Sequence, residues 1–227
     1  MTRHVLDRVV AASLDGHHAR FAQRHGRAVR YQPEVCSFVA LDDERDPRAW
    51  ADVSELIGPG RELVLPGVST WPDGWELVAS LEGVQMVGTA VAPRPDPEAV
   101  VLGEDDAPEM LDLIARTEPG PFLPRSVELG THLGLRRDGV LVAMAGERLR
   151  QPGWTEVGSV CTDPAYRGQG LAGRLVRAVA VGIAQRGDTP CLHALAENAD
   201  AIRLYRTLGF TMRRTVKITM LARPTGG

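Results

Sequence analysis

"VCTDPAYRGQGLAG", residues 160–173, is the stretch on which the fold turns. It holds G-x-G-x-x-G at Gly168, Gly170 and Gly173, a spacing shared with dinucleotide-binding turns. In those turns the first glycine follows its strand almost at once, so that the pyrophosphate meets a helix N-terminus at the strand's carboxyl end. Here a strand ends near Thr162, "DPAYR" intervenes, and Pro164 forbids continuing that strand as a paired central element. Glu197 stands at roughly the distance of an acidic ribose ligand, so the acidic test leaves NAD open and the loop spacing argues against it. Phosphate chemistry survives: the three glycines let backbone amides approach an anion, a helix dipole starts there, and Arg167 adds a full positive charge.

Outward from the loop, Leu171, Leu175, Val179 and Ile183 recur every four residues, the core stripe of one helix. Upstream, "HLGLRRDGVLVAMAGERLRQPGWTEVGSVCT" reads as three antiparallel strands separated by the turn signals "RRDG" and "RQPG". Before these, "AVVLGEDDAPEMLDLIARTEPG" reads as a strand running into an amphipathic helix. Downstream come a buried strand "PCLHAL", a helix "NADAIRLYRTLG" ended by Gly209, and a final strand "TMRRTVKITML". Three alternating prolines in "APRPDPE", residues 92–98, predict a stiff connector between an N-terminal α/β domain, residues 1–92, and a second domain, residues 98–222. In the first half, Asp46 and Pro47 open a helix, and "AVRYQ", "VCSFVALDD" and "RELVLPG" read as strands.

The composition of the 227 residues, 44% hydrophobic and 24% charged, is that of a globular chain. A net charge of −3 gives no basic field for nucleic acid or anionic lipid, and the N-terminus carries neither a secretory signal nor a membrane span. Cys36, Cys161 and Cys191 show no metal-ligand pairing; they read as buried small hydrophobes and fit a cytoplasmic location with no metal.

"VCTDPAYRGQGLA" resembles the acyl-CoA-binding signature of the GCN5-related N-acetyltransferases (GNAT), R/Q-x-x-G-x-G/A, at Arg167, Gly170 and Ala172. "NADAIRLYRTLGF" resembles the second signature, with Asn198, Ala201, Leu204, Tyr205, Gly209 and Phe210 in place. The order of elements agrees, and "GERL" and "GWTEVGSVCT" look most like the FR47-type branch, which is similar to the glycine N-acyltransferases. The resemblance covers about residues 98–221. It implies a GNAT fold, a central mixed and mostly antiparallel sheet flanked by helices, preceded by a smaller α/β half that in this branch is often a degenerate copy.

The resemblance further implies acyl transfer from acetyl-CoA to the primary amine of a small molecule or amino acid. By it, Val160, Cys161, Thr162, Arg167, Gly168, Gln169, Gly170, Leu171, Ala172, Gly173 and Asn198 hold the acetyl-CoA. Tyr205 matches the general acid and Glu156 the general base, with Glu147, His193 or a water chain as competitors for the latter. Asn198 also reads as a helix cap. The arginines Arg136, Arg137, Arg148, Arg150, Arg203, Arg206, Arg213 and Arg214 read as solvated faces, one of them a candidate partner for the 3′-phosphate of CoA or a substrate carboxylate. Alternatives are a protein N-acetyltransferase, an acyl-CoA sensor without transfer, and, disfavoured by spacing, an NAD oxidoreductase. A homodimer is compatible with the sequence on general grounds.

Overall fold

The computed structural model describes residues 4–223. Eight strands form one sheet: β4 (Glu62–Pro66), β5 (Glu76–Val87), β6 (Val100–Leu102), β7 (His132–Arg137), β8 (Val140–Gln151), β9 (Trp154–Thr162), β10 (Thr189–Leu195) and β11 (Thr211–Ala222). Their spatial order is β4-β11-β5-β10-β9-β8-β7-β6, and β9–β10 is the parallel pair in an otherwise antiparallel sheet. The expected meander is β7–β8–β9, turned by Asp138 and Gly139, both at positive φ, and by Gly153.

A smaller sheet, β1 (Ala22–His25), β2 (Ala28–Tyr31) and β3 (Val39–Leu41), belongs to the N-terminal half. There α1 (Val9–Leu14) packs on β8, while α2 (Pro47–Ile57) begins as expected, with Asp46 accepting from the Arg48 N–H and Pro47 in the first turn. In the second half, α3 (Ala107–Thr117) covers Met144 and Cys161, and α4 (Leu171–Gln185) buries Leu171, Leu175, Val179 and Ile183 against β8, β9 and β10. The short α5 (Ala199–Thr207) adds Tyr205 to that core. Past its end, Gly209 holds φ +102°, and a Cβ there would lie 2.4 Å from the Ala90 carbonyl oxygen, so only glycine fits where the two chain segments meet.

The expected cut at residues 92–98 does not separate two sheets. β5, from the first half, lies between β10 and β11 of the second and pairs with β11 from Glu76 to Val87, with register shifts at Met212/Arg214 and Met220/Leu221. The proline segment is an ordered strap along α4: Asp96 takes both prongs of the Arg174 guanidinium at 2.6 and 2.8 Å, and the Arg94 N–H donates to the Arg177 carbonyl. Prolines here stiffen a connection inside one sheet, a use that composition alone does not distinguish from a linker.

Candidate active site

Two β-bulges shape the middle of the sheet. Between the Cys161–Met144 and Gly158–Gly146 pairs, β9 has two residues, Ser159 and Val160, against one on β8, and Ser159 adopts φ +53°. A bulge bends its strand and increases local twist. β9 accordingly pairs with β10 only from Trp154 to Glu156, and beyond Glu156 and Cys191 the two strands are no longer paired. Val160, Cys161 and Thr162 therefore lie on the unpaired side of a V-shaped cleft. A 3-10 turn at Pro164–Tyr166 then leads into the glycine loop.

At the cleft mouth Arg167, Gly168, Gln169 and Gly170 are exposed. Gly168 and Gly170 have φ +80° and +71°, with open space where a Cβ would stand. Gly170 is the N-cap of α4 and supplies no side-chain cap, so the first-turn amides of Leu171, Ala172 and Gly173 face outward with the positive end of the helix dipole. That is the fit an anionic pyrophosphate requires. Gly173 itself faces Leu204 and Leu208 and lets α4 and α5 approach closely. Asn198 caps α5 through the Ala201 N–H at 3.0 Å.

The second bulge sets Arg148 and Leu149 of β8 against Glu156 of β9. Arg148 donates to Glu156 Oε1 at 2.5 Å, and His193 Nδ1 lies 2.7 Å from the same oxygen. Glu156 is 1% exposed, at the point where the strands part. From it a hydrogen-bonded row crosses five neighbouring strands, as Gln85 Nε2 lies 3.0 Å from His193 Nε2 and Gln85 Oε1 accepts from Arg213 at 2.6 Å. Gln85 Nε2 also donates to the Leu6 carbonyl, and Asp7 accepts from Arg213 and Arg214.

The partners of Gln85 orient its amide, nitrogen toward Leu6 and His193, oxygen toward Arg213. His193 Nε2 must therefore accept, and its Nδ1–H donates to Glu156. Burial opposes ionisation of Glu156, but the Arg148 guanidinium and the hydrogen bond from His193 outweigh it and hold the carboxyl well below the ordinary range. Glu147, the other glutamate considered, pairs with Arg186 after α4 at 2.7 Å. Tyr205 is 8% exposed, edge-on to Phe210, and burial pushes its phenol up to about 12.

Across the sheet face from Glu156 the N-terminal half closes the site. The loop after α3 is bolted to the β2–β3 connection: the Arg125 N–H donates to the Glu34 carbonyl, and Ser126 Oγ donates to the Val35 carbonyl at 2.8 Å. A narrow cavity remains under this roof, lined by Ser37, Phe38, Phe122, His132, Arg148 and Ser159 among others. "TEPGPFLPRS", residues 117–126, and the N-terminal half thus meet over one spot.

Arg148, read from the sequence with seven other arginines as a solvated face or an anion partner, is instead turned inward onto the buried Glu156. One of many arginines, it shows no local signal; only the bulge reveals that it points inward. Among the described residues, no group of His, Cys, Asp and Glu could hold a metal ion, and no helix is long and apolar enough to cross a membrane.

The FR47-like protein family matches residues 132–218, the span from β7 into β11. N-alpha-acetyltransferase RimI of Mycobacterium tuberculosis is 35% identical over 129 residues, covering 51% of this chain and 80% of that protein. A GNAT-family crystal structure from Novosphingobium aromaticivorans is 42% identical, with a TM-score of 0.89 over 98% of this chain and all of that one. At 20% identity, a GCN5-related N-acetyltransferase from Kribbella flavida shares the fold with a TM-score of 0.64. With the glycine signature leading from β9 into α4, the second signature along α5 after β10, and these relatives beside it, the chain belongs to the GNAT superfamily, as a member with an FR47-like domain.

Proposed function

We propose that this chain is an acetyl-CoA-dependent N-acetyltransferase whose acceptor is the primary amine of a small molecule. The observation that carries the small-molecule reading is the roof: residues 36–38 and 121–123 close the acceptor side of β9 to a narrow cavity, where a polypeptide acceptor needs an open groove. Acetyl-CoA enters by the opposite end. Arg167 and the amides from Gly168 to Gly173 take its pyrophosphate, and the pantetheine arm runs along the unpaired edge of β9 past Val160, Cys161 and Thr162, with Asn198 at the mouth.

The amine lone pair attacks the thioester carbonyl carbon, an N–C bond forms, and the C–S bond breaks to release CoA thiolate. Backbone N–H groups of β9 between Val160 and Thr162 stabilise the oxyanion. The attacking nitrogen gives up one proton and the thiolate takes one, so the products are the N-acetyl amide and CoA. Glu156 holds protons too weakly to keep one at neutral pH; its Oε2 orients the amine or a water that carries the proton away. Tyr205 holds its proton too tightly for easy release. Full transfer to a thiolate of ordinary pKa near 8.5 would cost about 5 kcal/mol, so the phenol acts by donating a hydrogen bond to the leaving sulfur.

A protein N-terminus is the second reading, favoured by the 35% identity to RimI, whose name is that of an N-alpha-acetyltransferase. Thiol release from acetyl-CoA separates the two. Small amines are expected to support turnover while peptides with free N-termini do not; turnover confined to peptides would reverse the assignment.

A further inference from the structure

Gln85 is buried where its neighbours leave its amide one orientation. It is 1% exposed on β5, the strand that the N-terminal half contributes to the catalytic sheet, directly opposite His193 of β10. A carbonyl oxygen only accepts and a guanidinium only donates. The Leu6 carbonyl, 2.8 Å away, therefore fixes one end of the amide as nitrogen, and Arg213, at 2.6 Å, independently fixes the other as oxygen. Arg213 reaches that oxygen because β11 bulges there. Met212 pairs with Met86 and Arg214 with Gln85, so Arg213 is the extra residue, and a bulge re-aims the side chain it carries. Asp7, in a 3-10 turn of the N-terminal half (Val5–Asp7), accepts from both Arg213 and Arg214 at 2.8 Å.

The consequence falls on His193, whose side chain is 9% exposed. Its Nε2 lies 3.0 Å from the Gln85 amide nitrogen and its Nδ1 lies 2.7 Å from Glu156 Oε1, so one proton, on Nδ1, satisfies both neighbours. A proton on Nε2 would set donor against donor. Glu156 Oε1 then receives two hydrogen bonds, from His193 and from Arg148, and Oε2, buried and without a partner among the described residues, keeps its lone pairs.

We propose that Gln85 is a positioning residue for acyl transfer: it holds the His193 imidazole as a one-proton donor to Glu156, which fixes the plane of the carboxylate and leaves Oε2 to the amine. The proposal rests on the acetyltransferase reading above and gives the N-terminal half a part in the chemistry besides covering it. The charged groups around the imidazole are Glu156 from β9, Arg148 from β8, and Arg213 from β11 with Asp7 behind it. An imidazolium would add a cation beside the carboxylate that must attract an amine and ease a proton from it. The other neutral tautomer would set a lone pair against Glu156 Oε1 and turn the carboxylate. Both need a proton on Nε2, and the Gln85 N–H bars it.

Gln85→Glu tests this, because it keeps the volume and reverses the hydrogen bond: a carboxylate only accepts, so Nε2 must carry a proton to face it. Two-bond proton–nitrogen correlation spectra at pH 7, with His193 assigned by its loss in His193→Gln, read which ring nitrogen is protonated. The wild-type protein should show a proton on Nδ1 and none on Nε2, and Gln85→Glu a proton on Nε2. In thiol release from acetyl-CoA, Gln85→Glu should lower kcat by about tenfold or more while the Kd for acetyl-CoA stays within about twofold. Gln85→Met fills the space without reversing the bond; it should keep the proton on Nδ1 and lower kcat only about threefold. If Gln85→Glu fails to fold, the wild-type spectrum and Gln85→Met decide. A protonated Nε2 in the wild-type protein, or wild-type kcat in whichever variant folds, overturns the positioning role and leaves the acetyltransferase reading standing. Failure of the wild-type protein to bind acetyl-CoA would overturn that reading and the role with it, whatever the spectra show.

Discussion

Tyr205→Phe is expected to lower kcat about 100-fold while the Kd for acetyl-CoA changes by less than twofold. The substitution removes one oxygen and nothing else. The ring stays in the core formed with α4 and keeps its edge-on contact with Phe210, so stability should fall little. What disappears is the donor offered to the sulfur as the C–S bond breaks, an interaction made chiefly in the transition state and therefore read in kcat rather than in binding. Single-turnover thiol release alongside calorimetry checks this. A drop in acetyl-CoA affinity with kcat preserved would make Tyr205 a binding or packing residue.

Glu156→Gln is expected to cost about 3 kcal/mol of stability at neutral pH, as breaking a buried ion pair does, because Arg148 is left without its counter-charge and His193 with a weaker acceptor. The pH dependence follows from the direction of the shift. The carboxyl is depressed in the folded chain, from an ordinary 4.5 to about 2, so its contribution is complete above pH 4.5 and is lost as pH falls through about 2. The stability gap between wild type and variant should therefore narrow on acidification across that window. Denaturant titrations at pH 7, 4 and 3 measure it; a gap constant with pH would mean that Glu156 gains nothing from its partners on folding.

The second half of the chain was open to sequence reading because its signals are local. The α4 stripe, the "RRDG" and "RQPG" turns, the glycine loop and the "NADAIRLYRTLGF" helix each carry their own periodicity or turn chemistry, and each lies where expected. β5 carried no such signal. Its outer half, with Leu77 and Val78 roughly half exposed, has no clean alternation, and it pairs with strands more than a hundred residues away. Prolines at 92–98 then suggested a boundary where the chain makes an ordered crossing. Glu156 was identified by position alone, but its environment was not, since the bulge that turns Arg148 toward it depends on a one-residue mismatch between strands. The row from Glu156 through His193 and Gln85 to Arg213 is likewise a product of strand order.

Isothermal titration of the purified protein with acetyl-CoA, with NAD injected in parallel, tests the central claim most directly. The glycine loop, the uncapped α4 N-terminus and the parted strands predict saturable binding of acetyl-CoA near one per chain and no heat from NAD. Binding of NAD, or of neither, would contradict the account.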